Sequence, residues 1–263
     1  MPRARRTRKP PDSPGRQSVW RPGGFLTDTA AARPLASLLF LAPVLAFYVV
    51  GLIWVRPDLA ARADVLLREA LEFLGVTGVL APTWLAVIVL LVWHLVRRDP
   101  WQISWSLLAL MAAETVLLAV PLLALERVCH ALWHAAPLQM GTPLPGAAPW
   151  LEVVMSSIGA GVYEELLFRL LLVGGAVFIL SHVLKDDSFG ARLAVVLIAA
   201  ALFSGAHIID NPRLFAWVPF LFRAAAGTYL GFIFLYRGFG IAAGVHILFD
   251  LVLKAATAGG YGA

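Results

Sequence analysis

Six ionisable side chains stand inside apolar stretches of the C-terminal half of this chain: Glu164, Glu165, Arg169, His207, His246 and Asp250. Inserting an Asp, Lys or Arg at the centre of a membrane helix costs about 2.5–3.5 kcal/mol, so such groups are expected to face one wet interior rather than lipid. Their spacing supports a shared pocket. Glu165 and Arg169 stand at i and i+4, on one helix face, where they can form an ion pair. Glu164 is turned by about 100° onto the neighbouring face. One carboxylate can thus be held by the arginine while the other stays available. His246 and Asp250 repeat the i, i+4 spacing, so the carboxylate can orient the imidazole or share its polar environment. Phe203 and His207 do the same with an apolar partner. Acids, histidines and an arginine are the parts needed to activate water and stabilise an oxyanion.

The motifs themselves carry a resemblance. Glu164-Glu165-Leu166-Leu167-Phe168-Arg169 resembles the EExxxR motif of the CAAX protease and bacteriocin-processing family (also called ABI) of glutamic intramembrane proteases. Phe203-Ser204-Gly205-Ala206-His207 is similar to its FxxxH motif, and His246-Ile247-Leu248-Phe249-Asp250 to its HxxxN/D motif. Order and separations fit as well, including the helix with Gly227 and Gly231 ahead of the last histidine. The resemblance covers residues 145–255. Leu170 departs from it, since many members carry Gly after the arginine, and Asp250 stands where the eukaryotic prenyl-protein proteases have Asn. The resemblance implies an endopeptidase acting on a membrane-associated protein or peptide. Glu164 would be the general base, with His207 holding the same water. Glu165 and Arg169 would be the supporting pair, and His246 and Asp250 would polarise the scissile carbonyl. Two histidines and a glutamate are also a plausible zinc set. No HExxH occurs, however, and the resemblance implies a metal-free mechanism without a cofactor.

These residues need a scaffold, and composition says which kind. The 263 residues are 60% hydrophobic and 14% charged, too few polar groups to cover a globule in water. The apolar residues arrive in long blocks, which names lipid as the solvent. The reading is all-α: a polytopic bundle of about seven spans, with six to eight allowed. The spans expected are 35–55, 84–96, 103–125, 151–180, 193–209, 214–236 and 241–254. Residues 60–76 mix Arg62, Asp64, Arg68, Glu69 and Glu72 with leucines, the pattern of an amphipathic interfacial helix. The segment 126–149 reads as a loop. The chain divides into a basic, disordered tail (1–34), N-terminal helices (35–145), the protease-like core (146–256) and a short tail (257–263).

The net charge of +5 is concentrated at the start, in Arg3, Arg5, Arg6, Arg8, Lys9, Arg16, Arg21 and Arg33. Ahead of a membrane helix this is a topology signal and a contact for anionic lipid, not a nucleic-acid arm. It favours a cytoplasmic N-terminus, and the chain is expected in the inner membrane of a bacterial cell. The tail has no apolar core of a signal peptide, so the first helix is expected to serve as an uncleaved anchor. Arg97, Arg98, Lys185, Arg192 and Arg237 are not expected all to reach that same side. Cys129, the only cysteine, excludes an internal disulfide. Glu114 is expected as a buried partner of Arg223. His94, His130, His134 and His182 lie in loops or at span ends, and Trp20, Trp84, Trp101, Trp105 and Trp150 read as interface anchors. A non-catalytic scaffold or immunity protein, or a proton-coupled transporter relaying through Glu164, His207 and Asp250, are the competing readings.

Overall fold

The structure is a computed structural model that describes residues 29–55, 62–133, 149–209 and 216–259. Among the described residues all regular structure is helical, the arrangement that satisfies backbone polar groups within hydrocarbon. Helix α1 (Pro34–Val50) opens on a proline, whose missing N–H costs nothing there, and runs on through a π turn at Gly51–Val55. The short α2 (Arg62–Phe73), α3 (Ala81–Arg97) and α4 (Trp105–Trp133) follow. Helix α5 is one rod. It begins as Pro149–Gly159, widens into π turns at Ala160–Glu164 and Leu166–Gly174, and finishes through Gly175–Ile179 and Leu180–Leu184. Helices α6 (Phe189–Ile209), α7 (Trp217–Arg237) and α8 (Phe239–Gly259) complete the bundle. Six helices are long and apolar enough to cross a membrane, and α3 is a shorter apolar one; the protein is an integral membrane protein.

The two ends of the bundle are distinguishable. At the near end, φ of +89° at Gly238 selects glycine, and a Cβ there would stand 2.6 Å from Ala32 Cα. Here the Gly240 N–H donates to Ser37 Oγ at 2.9 Å, and Arg237 pairs with Glu114. At the far end, Met155 fills the space beside Gly51. Thr83 Oγ1 and Tyr163 Oη share a hydrogen bond of 2.7 Å, and Ser204 Oγ donates to the Phe220 carbonyl at 2.8 Å. Helix α3 runs from Thr83 at the far end to His94, which is within electrostatic range of Arg33 at the near end. Successive long helices therefore alternate in direction, and α2 turns at the far end without crossing.

Helix α8 is the central post. It packs on α1, α4, α5 and α7, and Ile241, Ala242, Ala243 and Val245 are fully buried. Small residues let neighbours come this close: a Cβ on Gly161 would stand 2.7 Å from the Ile247 amide nitrogen, and one on Gly244 would stand 3.1 Å from Thr115. Trp84, Trp101, Trp105 and Trp150 lie exposed near helix ends.

Three expectations change. The segment 126–149 is not wholly loop, because α4 continues to Trp133 on an unbroken apolar run past Pro121. The basic tail does not extend to residue 34, because Ala30–Ala32 form a 3-10 turn whose Ala31 and Ala32 are buried under the near end. Arg97, Arg98, Lys185, Arg192 and Arg237 all do sit at the near end, with Arg33, because seven alternating helices return each of those connections to one side. The rest of the tail, and the segments 56–61, 134–148, 210–215 and 260–263, lie outside the described residues.

Candidate active site

The π turns of α5 shape the site. Widening the helix to i→i+5 hydrogen bonds is rare, and such turns recur at functional sites. Gly161 has no side chain, so the first turn lies directly against α8 at Ile247. That contact carries Glu164 and Glu165 to the face of α8 that bears His246 and Asp250. On the opposite flank, α6 and α7 are tied by the Ser204–Phe220 bond, which keeps Phe203 and His207 turned to α5.

All six ionisable residues meet there. Glu165 is fully buried and Arg169 is 2% exposed at the side chain, with Nη1 2.9 Å from Glu165 Oε1. The other guanidinium nitrogen, Nη2, donates to the Gly227 carbonyl at 3.3 Å, and the guanidinium lies 4.5 Å from the centre of the Phe203 ring. The same Glu165 oxygen receives a hydrogen bond of 2.8 Å from His246 Nδ1. Of the two roles expected of Asp250, it shares the polar environment of His246 without orienting the ring: Asp250 Oδ1 is 3.9 Å from Nε2, while its other oxygen accepts from Lys254 Nζ at 2.8 Å. Lysine one turn further along α8 competes for the carboxylate, and buried Glu165 has the better line to Nδ1.

Glu164 points into the gap that remains. Its Oε2 is 3.8 Å from His246 Nε2, and its Oε1 is 4.0 Å from His207 Nε2. Both separations are too long for direct hydrogen bonds and suit groups that share a water. His207 Nδ1 faces the Phe203 carbonyl at 2.9 Å, which places a proton on Nδ1 and turns Nε2 toward Glu164. Exposure rises outward, from zero at Glu165 through 15% at Glu164 to 35% at His207. On the near side the site is sealed by buried Val173, Val177, Ala242 and Val245. Among the described residues no group of three His, Cys, Asp or Glu side chains is placed to hold a metal ion.

Other sequence candidates fall elsewhere. Glu114 does not pair with Arg223; both its oxygens go to Arg237, which the turn between α7 and α8 brings to α4. Arg223 instead lies one helical turn from Gly227 on α7, within electrostatic range of Glu164. His182 bonds its own helix at Phe178, His94 is buried edge-on to Trp101, and the side chains of His130 and His134 lie outside the described residues. Tyr229 donates to the Leu118 carbonyl, and Tyr236 stacks on Phe232.

Sequence reasoning missed the residues that brace the first π turn from behind. Tyr163, next to Glu164, is fully buried; its hydroxyl meets Thr83 on α3 and its ring meets Tyr48 edge-on at 5.7 Å. Tyr48 Oη donates to Asp64 Oδ2 on α2 at 2.9 Å, and Arg68 reaches the same oxygen at 3.3 Å. Asp64 is 1% exposed, and burial holds its carboxyl above the usual range against the pull of Tyr48 and Arg68. The one available signal was an aspartate on the same face as Leu67 and Leu71 of an otherwise amphipathic helix.

Comparison with curated proteins and with solved structures gives no match. Residues 146–252, from the start of α5 into α8, match the family described as type II CAAX prenyl endopeptidase Rce1-like, so this part of the membrane protein is similar to the CAAX-protease-type peptidases of that family.

Proposed function

We propose that the chain is a glutamate-dependent intramembrane endopeptidase that hydrolyses a peptide bond of a membrane-associated protein or peptide. The observation that carries this reading is Glu164 standing 3.8 and 4.0 Å from two imidazole nitrogens contributed by two other helices. A water in that gap meets two acceptors, the Glu164 carboxylate and His207 Nε2. With both protons engaged, its oxygen lone pair is left to attack a carbonyl. Glu164 takes one proton as the C–O bond forms, and later returns it to the departing amine as the C–N bond breaks.

His246 is held by Glu165 through Nδ1, so its Nε2 is fixed toward the reacting carbon's position. In the doubly protonated ring Nε2–H donates to the oxyanion, the term that usually contributes most to such reactions. Asp250, anchored by Lys254, sets the charge on the open side of that ring. Glu165 and Arg169 position; they are too buried to touch substrate. The site sits on the inner membrane of a bacterial cell in this reading, with the N-terminus in the cytoplasm.

Comparative membrane proteomics of cells carrying the wild type or Glu164→Ala tests it. One membrane protein should accumulate as a longer precursor in the variant, and the purified wild type should cleave that precursor. Undiminished processing by an inserted, folded Glu164→Ala protein sinks the proposal and favours a scaffold or immunity role.

A further inference from the structure

The charges divide unevenly between the two ends of the bundle. Arg33, Arg97, Arg98, Lys185, Arg192 and Arg237 lie at the near end, and the sequence places the basic tail directly before α1 on that side. Among the described residues Arg97 is bonded to Asp99 at 2.7 Å, Arg192 to Asp187 at 3.0 Å, and Arg237 to Glu114 there. At the far end the helix ends and connections hold Arg56, Arg62, Arg68, Arg127, Arg213 and Lys254, so it is the basic tail that tips the lysine and arginine count to the near end. Lysine and arginine in short connections are retained in the cytoplasm during insertion, and acids contribute little to that choice. The near end is therefore the cytoplasmic one.

The site opens the other way. His207, its most exposed member, is two residues from the end of α6 at the far end. Below His246, toward the near end, Ile241, Ala242, Ala243 and Val245 are fully buried. The alternation of helices makes this independent of how deeply α3 is embedded, because Thr83 and His94 already place its two ends.

We infer that the site admits water and substrate from the face opposite the cytoplasm, so that its substrate is an extracytoplasmic segment of a membrane-anchored protein, cut close to the outer membrane–water boundary of its span. The inference names the substrate class and rests on the hydrolytic reading above. A chain modified and presented on the cytoplasmic leaflet would reach the sealed side of α8 instead.

Cysteine labelling of the full chain in intact cells tests the direction without using activity. In a Cys129→Ala background, Ala216→Cys reports the far end and Lys185→Cys the near end. A membrane-impermeant maleimide should label Ala216→Cys in intact cells, and should label Lys185→Cys only after permeabilisation. As a second measurement that leaves every residue in place, alkaline phosphatase fused after the C-terminus, beyond the far end of α8, should be active, and a green fluorescent protein there dark. The reverse result in either measurement overturns the inference. Such a reversal beside a loss of cleavage in Glu164→Ala leaves the peptidase reading standing; the predicted topology beside undiminished cleavage in Glu164→Ala removes the chemistry instead.

Discussion

The helices α1–α4 and α5–α8 differ in where their buried charge lies and what it faces. In the second half, Glu164, Glu165, Arg169, His246 and Asp250 come from two helices and converge with His207 on one gap. In the first half, Asp64, Thr83 and Tyr48 converge on nothing reactive; they meet the back of the turn that carries Glu164. A membrane helix with a wide π turn lacks the regular ladder that holds its neighbours, so its shape must be fixed from outside. The first half supplies that support. The brace behind the turn that carries Glu164 is thus drawn from the opposite half of the chain to the ionisable cluster.

The largest effect should come from the reactive half. Glu164→Gln keeps the shape and removes the base, and cleavage of the accumulated precursor should fall about 100- to 10,000-fold. A loss below about tenfold would mean that the gap between the two histidines is not where water is activated. Next comes the support within that half. Arg169→Met leaves Glu165 charged, buried and without its guanidinium, which should cost about 3–5 kcal/mol of stability. Adding Glu165→Gln should restore much of the melting temperature in detergent while cleavage stays low, because His246 loses its carboxylate. Recovery of both together would show that the pair merely fills space.

Gly161→Ala tests the contact between the halves of the site. Its Cβ meets the Ile247 backbone, which cannot rotate away, so a loss of about 1–3 kcal/mol is expected together with slower cleavage. Tyr163→Phe removes one hydroxyl and keeps the ring on Tyr48. It should cost about 1 kcal/mol and increase deuterium exchange in the peptide spanning 160–166; unchanged exchange there would detach α3 from the turn.

The smallest effect concerns pH. Asp64 titrates above its ordinary value of 3.8 because it is buried. The folded protein then holds this proton more tightly than the unfolded chain, so the contribution is complete below that value and is lost as pH rises through the folded one. Asp64→Asn should flatten this part of the stability-versus-pH curve, read as melting temperature in detergent across a pH series. A wild-type curve parallel to that of the variant would contradict it.

Much of this was legible in the chain. Long apolar runs marked the six long helices to within a few residues at most ends, because hydrocarbon admits almost no other backbone. The i, i+4 pairing of Glu165 with Arg169 survived the π geometry that the helical spacing did not foresee. The partner of Glu114 was misjudged, since position on one helix says nothing of what a neighbouring helix offers. The supports at Tyr48, Thr83 and Asp64 carry no pattern, as a hydroxyl or acid that braces a turn looks like any other polar residue in a span.

By itself the sequence determined the solvent, the helices and which ionisable groups stand within them, because burial in lipid leaves few options for backbone and makes each ionisable residue costly enough to mean something. Only the tertiary structure decided which imidazole each carboxylate meets, which end of the bundle is sealed, and that the basic connections share a side. Those outcomes depend on how seven rods alternate and where glycine lets two of them touch, and neither is encoded in local spacing.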